Sequence, residues 1–215
     1  DIDELVGMAC HSLSRNLTQT EWNSYLGESV PYHRTCPRLP ADVSAIGALF
    51  KRAQSTGGTT RETIARFKET LGLNGMDENL ATETKRMAAE VLMEESWRLA
   101  GAGNVDEVSI LSETVRQFNP DRDTEPVLTF AKQNAAKALQ EQGEKLAGAG
   151  EVEAATALFK QAVELNPALE LDPRAKAESI AAEAAAAPLF DRGRELARAG
   201  KIEEAMVVFL QALAI

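Results

Sequence analysis

The sequence predicts an all-α protein built from helical hairpins, and three observations support this prediction. Helices that close on a glycine end near Gly103, Gly150 and Gly200, and each is followed by an amphipathic helix, with offsets of 150 − 103 = 47 and 200 − 150 = 50 residues. Apolar residues recur at steps of three and four in these segments, as they do on one face of a helix. Alanine supplies much of the 44% apolar content and aromatic residues make up only 5%, which favours closely packed helices over a sandwich or barrel.

The clearest hairpin lies between Leu139 and Pro167. Its first helix closes at Gly148 or Gly150, because glycine adopts the left-handed conformation that other residues resist. Its second helix is expected to begin at Val152 and to stop before Pro167, since proline cannot continue a helix.

This hairpin resembles the tetratricopeptide repeat, in which large and small residues on the first helix precede an Ala-x3-Phe pattern and a closing proline. The matching residues are Leu139, Gly143, Leu146, Ala155, Phe159, Ala162 and Pro167. The last copy matches with Leu189, Gly193, Leu196, Ala205, Phe209 and Ala212. The first copy matches with Leu92, Ser96, Leu99, Val108, Val115 and Pro120, and has Ser112 where the phenylalanine is expected.

The resemblance implies a right-handed, tetratricopeptide-like α-solenoid of about four hairpins. Three repeats are assigned to residues 88–122, 134–169 and 186–215. Because the family period is about 34 residues, the extra residues of each unit are interpreted as helical extensions that elongate the first helices. These extensions are expected to begin at Glu125-Pro126 and at Asp172-Pro173, where proline occupies the tolerated first turn, and Pro188 is expected to kink or restart the last of them.

Residues 1–40 are predicted to form a small N-terminal helical module with an extended, proline-rich tail. A first helix is expected over 1–13. Thr18-Gln-Thr-Glu21 has the pattern of a capping box, and it predicts a short helix that carries Trp22 and stops at Gly27.

Residues 41–87 are interpreted as a divergent helical hairpin. Apolar spacing predicts its first helix over 41–54, and Thr60-Arg-Glu-Thr63 is expected to open the second. A long helix that leads into the first repeat is expected over 82–99.

The N-terminal module carries a second resemblance through a series of short motifs. They are Ala9-Cys10, Arg15-Asn-Leu-Thr18, Glu21-Trp22, Tyr25-Leu26, Pro31-Tyr32 and Thr35-Cys-Pro37. The series resembles the segment that closes the last propeller region of large bacterial WD40-repeat proteins, many of which carry a STAND-type nucleotide-binding domain. The resemblance implies an effector domain, an NTPase and a propeller upstream in a larger parent. This chain has no G-x4-GK-[ST] phosphate loop, and we expect it to use no cofactor.

Composition and charge argue against several classes of partner. The formal net charge of −10 at pH 7 disfavours nucleic acid and an anionic membrane surface. No apolar run approaches the roughly 18–20 residues that span a bilayer, and no charged-then-apolar leader opens the chain. We therefore expect a cytoplasmic protein. Because the sequence begins with Asp1 and the last copy stops at Ile215, we also expect a piece of a longer polypeptide.

The residues with metal-binding or nucleophilic chemistry lie close together in sequence: Cys10, His11, His33 and Cys36. They are the residue types of a zinc site, but adjacent ligands have poor geometry, and we expect no metal. A Cys10–Cys36 disulfide is a second interpretation, which a reducing cytoplasm disfavours, so we favour two unpaired thiols packed between helices. His33 and Cys36 are also a nominal base and nucleophile, but nothing indicates an oxyanion site, and we expect no enzymatic activity.

The remaining candidate is a protein-binding surface. In stacked helical hairpins the first helix of each unit lines the concave face, where peptides dock. By this analogy the partner-binding residues are Met93, Trp97, Gln140, Glu144, Phe190, Arg194 and Arg198. Trp97 and Phe190 are the strongest candidates, because aromatic and arginine side chains dominate interface hot spots; the alternative is that both pack between neighbouring repeats.

The sequence therefore predicts a non-enzymatic protein-interaction or sensor module of a larger bacterial signalling or defence protein. Its partner is expected to be a protein or peptide held on the concave face. The alternative is a structural spacer or self-association arm that positions upstream domains.

Overall fold

The computed structural model describes residues 8–30, 32–72 and 76–215, and all regular structure in those residues is helical. Residues 8–12 are helical, whereas residues 1–7 of the expected first helix lie outside the described residues. The later helices are α1 (Gln19–Leu26), α2 (Val43–Ser55), α3 (Thr60–Leu71), α4 (Glu78–Gly101), α5 (Val105–Phe118), α6 (Glu125–Gly148), α7 (Val152–Leu165), α8 (Pro173–Arg198) and α9 (Ile202–Leu213), with a 3-10 turn at Pro167–Leu169. The prediction of an all-α protein is confirmed.

The chain divides into two compact units, Asp1–Ala131 and Lys132–Ile215, and the division falls inside α6. In the first unit α2 to α5 and the first turns of α6 share one apolar core, in which the rings of Phe50 and Phe67 meet edge to face at 5.1 Å. The core of the second unit is smaller and consists of Ala147, Ala155, Phe159 and Ala177, with Leu146, Val152, Leu171 and Ile180 packed against it. The predicted boundary between the hairpin 41–87 and the repeats of 88–215 falls inside α4, which contains both residue 87 and residue 88. This division of the chain stays a prediction.

The three hairpin turns close in the same way, at Gly103, Gly150 and Gly200. Their φ angles are 73°, 84° and 77°, in the left-handed region where glycine carries no steric penalty. In the middle turn the amide of Glu151 donates to the carbonyl of Leu146 at 2.9 Å, which satisfies a carbonyl that the helix end leaves unpaired. The equivalent bonds run from Asn104 to Leu99 at 3.1 Å and from Lys201 to Leu196 at 3.0 Å. The glycine spacing therefore located all three turns.

In the second unit a glycine on each first helix faces a phenylalanine on the helix that follows. A Cβ built on Gly143 would lie 2.8 Å from Cε1 of Phe159, and a Cβ on Gly193 would overlap the ring of Phe209 in the same way. Phe159 is fully buried, so its ring has no free space into which it can withdraw. Close packing therefore requires glycine at Gly143, whereas the half-buried ring of Phe209 leaves the constraint at Gly193 weaker.

The α4–α5 hairpin has serine at both equivalent positions, Ser96 and Ser112, and both residues are fully buried. Ser96 donates its hydroxyl to the carbonyl of Leu92 at 2.8 Å. The hydroxyl of Ser112 has no hydrogen-bond partner in the described part of the chain. Without a ring on α5, a side chain is tolerated on α4, so the two serines are compatible with each other.

The helices that follow the three glycine turns begin differently from α1 and α3. Thr18 with Glu21 and Thr59 with Glu62 form complete capping boxes at α1 and α3, as the sequence predicted for the first of them. By contrast, α5, α7 and α9 begin without a side-chain cap, directly after the glycine turns. The α4 helix begins at Glu78 rather than near residue 82, because the carboxylate of Asp77 accepts from the first free amides.

The expected restart of the helix at Pro188 does not occur. The α8 helix runs from Pro173, in the tolerated first turn, through Pro188 to Arg198 as one element. Loss of one amide donor at Pro188 is tolerated because the rest of this long helix is continuous and packs against both α7 and α9.

The expectation of unpaired thiols is wrong, because Cys10 and Cys36 form a disulfide. The bridge links the helical residues 8–12 to the extended segment that precedes α2. Cys36 is 1% exposed, so its sulfur lies within the N-terminal module. A disulfide requires oxidising conditions, and the expectation failed because it was derived from the assumed compartment.

Asn16 organises the backbone around the disulfide. Its Nδ2 donates to the carbonyls of Cys36, Leu39 and Pro40 at 3.1, 2.8 and 2.9 Å. Its Oδ1 accepts from the amide of Cys36 at 2.8 Å and from the hydroxyl of Thr35 at 3.1 Å. Asn16 is 1% exposed, and its side chain takes the place of secondary structure for a segment that has none.

Candidate functional site

Six of the expected partner-binding residues occupy two equivalent positions on the first helices, as the offsets 140 − 93 = 47 and 190 − 140 = 50 indicate. The first position holds Met93, Gln140 and Phe190. Met93 is 4% exposed and belongs to the core of the first unit, so it presents no surface to a partner. Gln140 and Phe190 are half-buried. The second position holds Trp97, Glu144 and Arg194, and all three are exposed.

In the first unit Trp97 packs against Phe130, the two ring centroids being 5.7 Å apart. Trp97 remains 44% exposed and Phe130 39% exposed. Beside this pair, Arg98 and Glu95 form an ion pair at 2.6 Å, and hydrogen bonding from Arg98 lowers the pKa of the Glu95 carboxyl. Trp97 is therefore partly covered by the ring of Phe130 and partly exposed, and its role in partner binding stays a prediction.

In the second unit Glu144 forms an ion pair of 3.7 Å with Lys176 of α8. Both side chains are about half exposed, so this contact is solvent-screened and contributes little to stability. Arg194 pairs at 3.1 Å with Asp191 one turn earlier on its own helix. Arg198 is exposed in the last turn of α8.

Phe190 and Arg194 come together in a groove of about 540 Å³ between α8 and the end of α9. The ring of Phe190 stacks on that of Phe209, with centroids 6.1 Å apart, and forms one wall. The groove is completed by small and apolar residues and by two carboxylates: Ala182, Glu183, Ala186, Ala187, Asp191, Ala212, Leu213 and Ile215. This arrangement offers an apolar floor with charged groups at its edge, which suits an amphipathic segment.

An exposed apolar stripe on α9 adjoins this groove. The stripe consists of Ile202, Met206, Leu210 and Leu213, which are 57, 59, 63 and 73% exposed. Their spacing of four, four and three residues places them on one side of the helix, opposite Ala205, Val208 and Ala212, which face inward. Scattered exposed apolar residues are ordinary, whereas a contiguous set on one helix face is the pattern expected of an interaction surface.

Leu210 and Leu213 were not among the binding residues predicted from the sequence. A comparison with the preceding copy of the repeat could have identified them. At an offset of 50 residues their equivalents on α7 are Lys160 and Val163. Lys160 is exposed on α7, and the equivalent residue on α9 is Leu210. An apolar residue at a position that is polar in the other copy indicates a different use of that surface.

The cysteine and histidine residues do not assemble a nucleophilic site. Cys36 is held in the disulfide and carries no thiol to ionise, so the nominal pair with His33 has no nucleophile. Within the described residues no group of three or more histidine, cysteine, aspartate or glutamate side chains is arranged to hold a metal ion. The described helices also include none with the length and apolar content needed to cross a membrane.

No family model matches this chain, and neither a curated protein nor a solved structure is significantly similar to it.

Proposed function

We propose that this chain is a non-enzymatic interaction module that binds an amphipathic helix of a partner protein in the groove between α8 and α9. The observation that carries the proposal is the continuity of that groove with the exposed apolar stripe of α9. A partner helix with one apolar face would cover both, and the charged groups at the groove edge would fix its orientation.

The choice of a helix as occupant is supported by the preceding hairpin of the same unit. There, α8 packs on α7, and Leu171, Ala177 and Ile180 join the core around Phe159. Phe209 is the equivalent of Phe159 but is only half-buried. In the same way that α8 packs on α7, a partner helix could pack on α9. It would bury the apolar stripe and cover the exposed part of Phe209.

We further propose that the hairpins belong to a tetratricopeptide-like solenoid in a larger bacterial signalling or defence protein with WD40 and STAND-type domains. The repeated glycine turns and the repeated glycine–phenylalanine contact support the repeat assignment. The motif series of the N-terminal module supports the parent. In that setting the module senses a partner and reports to the upstream domains.

The binding proposal is tested with a fluorescent synthetic peptide that copies residues 171–187, the part of the chain that covers α7. We expect it to bind the full chain, and Phe190→Ala and Leu213→Lys each to weaken binding by about tenfold or more, as loss of an anchor residue does. Val43→Lys changes an exposed apolar residue of α2 and is the matched control, with no expected effect. Binding that is absent, or equal in all variants, would contradict this site.

The second candidate function is a self-association arm, for which the α9 stripe is also suited. Two copies could bury their stripes against each other, since Ile202, Met206 and Leu213 recur with near-heptad spacing and carry no charge. Sedimentation velocity over a range of concentrations, with Met206→Lys as the disrupting variant, tests it. A chain that stays monomeric throughout would exclude this role.

The proposed location is the cytoplasm, and the disulfide provides a direct test of it. Disulfides persist mainly in oxidising compartments, whereas cytoplasmic thiols are kept reduced. The test counts free thiols in protein whose thiols are trapped with acid and alkylated as the cells are lysed. It distinguishes a reducing from an oxidising compartment. Two free thiols per chain support the cytoplasm, and none places the module in an oxidising compartment.

A further inference from the structure

A cationic groove lies in the first unit, away from the residues discussed above. It consists of two adjoining cavities of about 310 and 510 Å³. Both are lined by Arg34, Pro37, Gly72 and Met76, so the two cavities adjoin along these residues. One wall is the extended segment before α2, and the other is formed by the end of α3 and the start of α4.

The groove combines an apolar lining with one unsatisfied hydroxyl. Ala41, Leu49 and Leu71 line the first cavity, and Leu80 lines the second. Thr84 also lines the first cavity and is 1% exposed, and its Oγ1 has no hydrogen-bond partner in the described part of the chain. This oxygen is almost completely enclosed, so a ligand in the groove meets the apolar lining rather than the hydroxyl.

The charge of the groove is opposite in sign to the net charge of the protein. Arg34 lines both cavities and Arg38 the second, and neither forms an ion pair with any described residue. Among the described residues, the one carboxylate that lines the groove is Asp77, which accepts from the amides of Asn79 and Leu80 as the cap of α4. In a chain of net charge −10, two arginines without carboxylate partners on one groove indicate an anionic ligand.

We propose that this groove binds an extended, acidic peptide segment of a partner protein. Carboxylates of the peptide pair with Arg34 and Arg38, and an apolar side chain between them enters the first cavity. A peptide fits better than an isolated anion because the two cavities adjoin and have apolar walls. Nucleic acid is disfavoured, because the net negative charge of the chain repels its phosphates.

The test measures fluorescence anisotropy of a short labelled peptide in which glutamates flank a single leucine, added to the full chain. We expect binding that weakens as salt is raised, because the arginines are partly solvated. Arg34→Glu and Arg38→Glu should each reduce affinity by about tenfold or more, as loss of a charge-assisted hydrogen bond does. Arg52→Glu makes the same charge change at an exposed site outside the groove and should leave binding within about twofold of wild type.

A peptide of opposite charge provides a second control. A peptide with lysines in place of the glutamates should not bind. No binding of the acidic peptide, equal binding of the basic one, or equal losses in Arg38→Glu and Arg52→Glu would overturn the proposal. Because neither cavity contains Phe190 or Leu213, these outcomes are independent of those for the α8–α9 groove.

Discussion

The hairpins of the second unit and the N-terminal segment of residues 8–40 are stabilised in opposite ways. In the hairpins one contact is used twice, a phenylalanine ring seated on a glycine of the preceding helix. In the N-terminal segment every stabilising feature occurs once: the disulfide, the buried Asn16 and the Trp22 indole that donates to the carbonyl of Val30 at 2.9 Å. A contact that recurs can be predicted from the sequence, because the same residue pattern occurs twice. A feature that occurs once has no such pattern and is recognised only in the three-dimensional structure.

The largest expected effect comes from breaking the repeated contact. Phe159→Ala removes a fully buried ring from the core of the second unit, and we expect a loss of about 3–5 kcal/mol in the free energy of unfolding. Phe209→Ala is the matched control, because its ring is half-buried and should cost clearly less. Urea unfolding followed by circular dichroism measures both. Equal losses would show that the two contacts do not differ in burial as described.

The second effect comes from the single features. Replacing both cysteines, Cys10→Ser with Cys36→Ser, opens a loop with a sequence separation of 26 residues. We expect a loss of about 2–4 kcal/mol that is confined to the N-terminal segment. Hydrogen exchange measured by mass spectrometry should show faster exchange around Trp22 and unchanged exchange in α7 and α9. Uniform loss of protection across the chain would contradict this separation.

A smaller effect tests why the contact needs glycine. Gly143→Ala places a methyl group against the ring of Phe159, and we expect a loss of about 1–3 kcal/mol from overpacking. Gly148→Ala on the same helix is the control, because a Cβ there meets nothing within 4 Å, and it should be neutral or stabilising. Thermal unfolding distinguishes them. Identical melting temperatures for the two variants would remove the packing explanation for Gly143.

Substitutions at the equivalent positions of the α4–α5 hairpin test the same packing rule. Ser112→Phe alone should lower the melting temperature, because Ser112 is fully buried and a ring would overpack its site. Adding Ser96→Gly, which gives this hairpin the glycine of the other two, should recover part of the loss in thermal unfolding.

The smallest effect is a pH dependence of the N-terminal segment. The side-chain hydrogen bond from Arg15 and the amide of Thr18 lower the pKa of Glu21 from 4.5 to about 2. The stabilising contribution of Glu21 is therefore fully present above pH 4.5 and is lost as the pH falls through about 2. Emission of the buried Trp22 should report loosening of α1 over this range, and Glu21→Gln should abolish the dependence. A profile unchanged by that substitution would assign the acid sensitivity to other groups.

Much of the helical architecture follows from local rules in the sequence. The turns at Gly103, Gly150 and Gly200 and the starts of α6 and α8 were predicted because glycine and proline act through backbone geometry alone. The start of α4 was misplaced by about a turn because Asp77 was not recognised as a cap.

The candidate sites were predicted less well, since they depend on contacts between distant residues. Phe190 and Arg194 were selected from their repeat position, and they do line one groove. Met93 has the same repeat position as Phe190 but is buried, because α4 packs against a larger core than α8 does. The groove around Arg34 and Arg38 was not foreseen, because its second wall is formed by residues about 40 positions later in the chain.

The buried Asn16 has a consequence for how the protein can be modified. Asn16-Leu17-Thr18 has the form of an N-glycosylation acceptor, which requires an accessible side-chain amide. In the folded chain that amide nitrogen donates to three carbonyls, and the residue is 1% exposed. A sugar attached during synthesis would occupy the place of these bonds and prevent the module from closing, so the folded form must be unglycosylated at this position.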